Sequence, residues 1–238
     1  MQQLHSFLTT MPHVSAVGDH ESLRRYWACS MSTAGAASSS GAIEELLQRW
    51  SEPHRAYHTT QHLQEAMDLL STWCTGSSGS SRCASNWPSA LALALFFHDA
   101  IYDPHRADNE EASAQLARSI LGPLGVPGEM LSAVDRLIGV TRHAAMPASE
   151  DECLMVDIDL AILGARSERY AQYLAQVRQE YRPVPERDFL RGRLGVVERF
   201  LGQGQGLFHT ERGRAELGAQ ALRNLAAEAL DLRQQLDH

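Results

Sequence analysis

The sequence predicts an all-α fold arranged as a single helical bundle. Three observations lead to it. Long stretches repeat apolar residues at helical spacing. No stretch sustains the period-two alternation, enriched in β-branched residues, of a half-buried strand. The breaks between the periodic stretches are rich in Ser, Gly and Pro, which punctuate helices.

Segment 1–41 is expected to hold an N-terminal helix followed by a flexible Ser/Gly-rich stretch, "MSTAGAASSSG" (Met31–Gly41); 42–238 is then the main domain. In that domain "IEELLQRW" (Ile43–Trp50) and "HLQEAMDLLSTW" (His62–Trp73) read as amphipathic helices. "TGSSGSSRCASNWP" (Thr75–Pro88) reads as a surface insertion joining two core helices. "SALALALFF" (Ser89–Phe97) is apolar all round, so it is a helix buried on most sides. "EEASAQLARSIL" (Glu110–Leu121) and "EMLSAVDRLIGVT" (Glu129–Thr141) flank a turn, "GPLGVPG". "LMVDIDLAIL" (Leu154–Leu163) is apolar enough for a strand, but its neighbours argue for a helix. "RYAQYLAQVRQEY" (Arg169–Tyr181) and "RAELGAQALRNLAAEALDLRQQL" (Arg214–Leu236) complete the set.

The 238 residues suffice for a sizeable core. The formal net charge is −8 and every cationic side chain is an arginine, with no basic block, which argues against stable nucleic-acid binding. The first twenty residues hold His5, His13, Asp19 and His20 and no apolar core, so no secretory signal is expected. The longest apolar stretch, Ala90–Phe97, falls short of the roughly 20 residues a bilayer requires, so no membrane association is expected. Cys29, Cys74, Cys83 and Cys153 form no C-x-x-C pair and read as scattered thiols of a cytoplasmic protein, with a Cys74–Cys83 loop disulfide as the alternative.

Three elements carry chemistry. The buried helix ends on His98-Asp99, two groups costly to bury without partners; a metal ion compensates both, since imidazole and carboxylate donate lone pairs and the cation neutralises the acid. "RAYHTTQHLQEA" places His58 and His62 four apart, one turn on one helix face, which suits two ligands or one ligand plus a proton donor. Asp157 and Asp159 lie within an apolar run and need a metal, a base or hydrogen-bond donors; a solvated helix N-terminus is the alternative, more apt for Asp157. Asp108 reads as an N-cap with Glu111 as its capping-box partner. Arg178 and Glu180 read as a helix-surface ion pair.

The order H … HD … D resembles the HD superfamily of metal-dependent phosphohydrolases. "RAYHTTQHL", "LFFHDAIYDPHRADNEEASA", "VDIDLAILG", "VRQEY" and "FLRGRLGVVERFL" together are similar to a bacterial group of predicted metal-dependent HD-superfamily phosphohydrolases, over roughly Ser22 to Leu230. The resemblance implies a single HD-domain bundle. It makes His62 the first metal histidine, His98 and Asp99 the HD pair and Asp159 the last ligand, with Asp157 orienting a histidine. "YHTTQHL" is also similar to an element of eukaryotic cyclic-nucleotide phosphodiesterases whose first histidine protonates the leaving oxygen, a role that falls to His58. The implied cofactor is one or two divalent ions (Mn, Fe, Co, Ni, Zn or Mg), with Asp99 able to bridge two. The implied reaction is hydrolysis of a phosphate ester, by analogy a nucleotide, by metal-activated water. Arg55 is expected to contact phosphate, with His143, Glu110 and Arg193 as further substrate contacts. Arg193 has a second reading as a bundle brace against a buried acid, and His143 as a helix C-terminal histidine. A non-catalytic metal- or nucleotide-binding sensor and a di-iron oxygenase are the alternatives.

Overall fold

The computed structural model describes residues 20–75 and 88–237, and every regular element among them is helical. The chain runs through α1 (Glu21–Thr33), α2 (Ser40–Arg49), α3 (Thr60–Thr75), α4 (Ser89–Phe97), α5 (Asn109–Leu121), α6 (Gly128–Val140) and α7 (Glu150–Asp159). A 3₁₀ turn (Leu160–Gly164) leads to α8 (Ser167–Glu180) and α9 (Glu186–Gln203). The last stretch is a short α10 (Glu211–Gly213), a π-helical turn (Arg214–Gly218) and α11 (Ala219–Leu236).

Helix α4 is the hub. Nine residues are too few to hold a helix in water, where about 12–15 are needed. Tertiary packing holds it instead: α1, α3, α5, α6 and α7 all pack on it, and Leu91 to Phe97 are at most 2% exposed. Trp27 of α1 meets Phe96 edge-to-face at 5.4 Å. The Trp50 indole N–H, one residue past α2, donates to the Phe96 carbonyl at 2.9 Å. These contacts form one core. A second core joins Tyr57, the 160–164 turn, α8, α9 and α11. In it Arg193 of α9 donates twice to the buried Glu228 of α11, at 2.6 and 3.2 Å. Helix α7 lies where the two cores meet, with Met155 and Ile158 in the first and Val156 in the second.

Several expectations change. Helix α1 is part of the first core, through Leu23, Tyr26, Trp27 and Met31, so the described part of segment 1–41 is no separate unit. The Met31–Gly41 stretch is shorter as a loop than its composition implies: α1 continues to Thr33, and Ser39 caps α2 by accepting from the Ala42 N–H. Asp108 makes no cap hydrogen bond, because Arg106 takes both its carboxylate oxygens at 2.9 Å. Cys29 is disulfide-bonded whereas Cys74 and Cys153 are free, which corrects the reading of four scattered thiols and leaves no Cys74–Cys83 bridge. The greater part of the Thr75–Pro88 insertion lies outside the described residues. No described helix is long and apolar enough to cross a membrane.

The end of α7 is pinned from two sides. Asp157, fully buried, accepts from the His209 and Thr210 N–H groups at 2.7 and 2.8 Å and from the Thr210 hydroxyl at 2.6 Å. It therefore anchors the start of the final helical stretch, and is neither a solvated N-terminal acid nor a hydrogen-bond partner of a histidine ring. Gly164, which ends the 3₁₀ turn, touches the π-helical turn so closely that a Cβ there would fall 2.7 Å from Leu217 Cβ and 2.9 Å from its backbone. Gly164→Ala is therefore expected to destabilise by about 1–3 kcal/mol, read as a lower midpoint in thermal or denaturant unfolding.

Candidate metal centre

Three helices bring four donors to one point. His62 lies in the first turn of α3, fixed there because the Thr59 hydroxyl accepts from the Gln61 N–H at 3.3 Å. His98 and Asp99 follow directly on α4, and Asp159 ends α7. One ligand atom from each of His62, His98, Asp99 and Asp159 lies within 4.8 Å of the others. The imidazole Nε2 atoms face each other at 3.2 Å. Asp159 Oδ1 is 3.5 Å from His62 Nε2 and 3.4 Å from His98 Nε2, and Asp99 Oδ2 is 3.2 Å from His98 Nε2.

The donor chemistry fits a cation. His98 Nδ1 donates to the Leu95 carbonyl at 2.8 Å, so the neutral ring turns its Nε2 lone pair inward. The Tyr57 hydroxyl sits 3.1 Å from His62 Nδ1 and fixes the direction in which that ring points. Both carboxylates stand at helix C-termini, where the peptide dipoles disfavour an anion and favour a cation. Two buried imidazole nitrogens and two carboxylates at one point are stable only around positive charge. Without an ion, a proton supplies it. Burial opposes the charged His98 ring, yet the Asp99 charge and the hydrogen bonds to Asp159 and Asp99 hold its pKa well above the ordinary 6.5. Burial likewise opposes the Asp99 carboxylate, but the His98 charge depresses its pKa; hydrogen bonds from His143, His62 and His98 do the same for the half-buried Asp159.

His58 stands beside this cluster, its Nε2 4.0 Å from Asp99 Oδ2. Its other nitrogen is fixed by a residue that sequence reasoning assigned elsewhere. Glu180 Oε1 accepts the N–H groups of Ala56, Tyr57 and His58 at 2.7, 2.8 and 2.9 Å. Its Oε2 takes His58 Nδ1 at 2.8 Å and the Tyr102 hydroxyl at 2.9 Å. Arg178, its expected partner, pairs with Glu186 instead. Burial alone would raise the Glu180 pKa, but the His58 hydrogen bond and charge, with the Ala56 and His58 N–H groups, hold it at about 2 instead of 4.5. Burial lowers His58, but its bond to Glu180 and the charges of Asp99, Glu180 and Asp159 outweigh this and raise it above 6.5. A signal for Glu180 was present: Tyr170, Tyr173, Val177 and Glu180 form one buried stripe along α8, so an acid occupies a core position.

Arg55, expected to contact phosphate, is committed to the protein. Its side chain is fully buried and donates to the carbonyls of His58, Asp99 and Ala100 at 3.1, 2.7 and 3.1 Å, and to Glu52. It lies between the Trp50 and Tyr102 rings and satisfies the free carbonyls just beyond α4, which fixes the His98-Asp99 corner. His143 does enter the site. A left-handed φ of 50° just past α6 turns its ring inward, and its Nε2 is 3.0 Å from Asp159 Oδ2. Glu110 faces Arg142 at 3.8 Å and is outside the four-donor cluster. Arg193 braces the bundle through Glu228, although it also borders a cavity beside the centre.

A cavity of about 530 Å³ opens from the centre between the 3₁₀ turn, α8 and α9. His58, His143 and Asp159 line one end of it. In comparisons with known proteins the chain matches no family model, no curated protein and no solved structure.

Two outcomes follow for the metal-free protein. Because the metal must displace a proton from His98, adding Mn²⁺ to weakly buffered protein near neutral pH is expected to release protons, read with a pH electrode. Asp159→Ala should greatly weaken uptake; undiminished uptake by that variant would assign the ion elsewhere. Glu180→Gln is expected to lower the His58 midpoint, read by NMR titration of the ring in chelator-treated protein. The signs are opposite for the two partners. Glu180, depressed from 4.5 to about 2, stabilises the fold above pH 4.5 and loses that contribution as pH falls toward 2. His58, raised, contributes fully below 6.5 and loses it as pH rises through the folded value.

Proposed function

We propose that the protein is a metal-dependent hydrolase of phosphate esters, with His62, His98, Asp99 and Asp159 as ligands and His58 as general acid. The observation that carries this reading is the pairing of a cation-selecting cluster with a positioned proton donor. His58 is fixed by Glu180 through Nδ1, and its Nε2 stands 4.0 Å from a ligand carboxylate. A divalent ion held there supplies Lewis acidity, lowering the pKa of a water and neutralising a phosphoryl oxygen.

The chain's own residues do the rest. Glu180 raises the His58 pKa, which favours the protonated ring, and aims its second nitrogen toward the ligand side. A proton leaving Nε2 can pass to a departing alkoxide beside the cluster, which spares the reaction a strongly basic leaving group. Tyr102, stacked on His58 with ring centroids 4.1 Å apart, limits the ring's rotation. The Tyr102 hydroxyl stays protonated, because burial and the Glu180 charge push its pKa up. Arg55 holds the His58 loop and the His98-Asp99 corner at one spacing. The five acceptor contacts on Glu180 are a larger investment than a surface loop needs, and they favour catalysis over simple metal storage.

The test is turnover of a phosphomonoester and phosphodiester panel by metal-loaded protein, run without oxygen so that an oxidative reaction gives nothing. His58→Ala is expected to lose about 10²–10⁴-fold in kcat with metal content retained. Asp99→Ala is expected to lose metal and turnover together. Full turnover by Asp99→Ala would refute the assignment.

A further inference from the structure

We propose that the organic group of the substrate is apolar, alkyl or aryl, and that it lies in the cavity between the 3₁₀ turn, α8 and α9. The inference rests on the phosphohydrolase reading and adds the substrate class. The cavity is continuous with the metal centre, since Asp159, His58 and His143 form one end of its wall. At about 530 Å³ it has the size of a small-molecule site and far exceeds the space a phosphate group fills.

Beyond the metal end the wall is hydrocarbon and aromatic: Ile162, Tyr173, Val177, Phe189, Val196 and Phe200. No lining side chain is Asn, Gln, Ser or Thr. Of the charged side chains beyond the metal end, Arg193 is committed to the protein, and Asp188 and Arg199 are exposed to solvent. Arg193 spends its fork on Glu228 and the Tyr173 hydroxyl. Asp188 is largely exposed and 3.8 Å from Arg191. Arg199 lies over the Phe200 ring at 5.2 Å. A nucleobase brings several donors and acceptors, and burying them unpaired in such a wall opposes binding. An alkyl or aryl group brings none and gains by leaving water.

Gly192 offers a way to fill the cavity. It is on α9 at the cavity wall, and a Cβ placed there meets no atom within 4 Å. Gly192→Leu therefore introduces its side chain at the cavity wall from a Cβ that meets no neighbour.

The experiment is calorimetric binding of methyl-, butyl- and hexylphosphonate, with adenosine 5′-monophosphate, to Mn²⁺-loaded full-length protein. Each methylene buried is expected to tighten binding by about three- to fourfold. Hexylphosphonate should also bind more tightly than the nucleotide. Gly192→Leu should lose the chain-length dependence while keeping its Mn²⁺. Equal affinity for methyl- and hexylphosphonate, or preference for the nucleotide, overturns the proposal. A clear chain-length dependence in a protein that turns over no phosphate ester upholds the apolar site and removes the hydrolase reading instead.

Discussion

The structure depends on one electrostatic constraint: two partly buried carboxylates and two buried imidazole nitrogens share a common point where helices α4 and α7 end. Each of those ends carries partial negative charge of its own. This concentration of negative charge and lone pairs favours positive charge held among the donors. In the metal-free chain the neighbouring carboxylates favour a protonated His98; a divalent ion would meet the same need with four donors around it. The surrounding architecture reads as support for that point. Arg55 fixes the corner after α4, Asp157 and Gly164 fix the end of α7, and Tyr57 orients His62.

The two hydrophobic cores explain why a bundle of this kind offers a site at all. One core is built around α4 and the other around α9 and α11, and the ligands lie on the seam between them. A seam leaves room that a single core would fill. The cavity follows from it, bounded by the second core and opening toward the cluster. The polar link across the seam is Glu180, at the end of α8, which holds the 56–58 backbone and the His58 ring at once.

Much of this was legible in the sequence, and the failures share a cause. Helix periods identified α2, α3, α5, α6, α8 and α11, because their apolar stripes are long. The cost of ending a buried helix on His98-Asp99 pointed to a shared cation, and the structure gathers the same four residues named from the resemblance. Arg55 and Glu180 were misassigned because residue type alone does not say which way a charged side chain faces. An arginine near a metal motif reads as a phosphate fork; here helix-end carbonyls take its donors. Asp108 was misread because the competitor for its carboxylate, Arg106, is close in sequence but outside the cap motif. Asp157 was misread because its partners, His209 and Thr210, are remote in sequence.

The most direct test of the central claim is anomalous diffraction from crystals grown with Mn²⁺. The account predicts a dominant peak within bonding distance of His62 Nε2, His98 Nε2 and one oxygen each of Asp99 and Asp159. A dominant peak elsewhere, or ordered side chains at this point with no ion at saturating Mn²⁺, would contradict it.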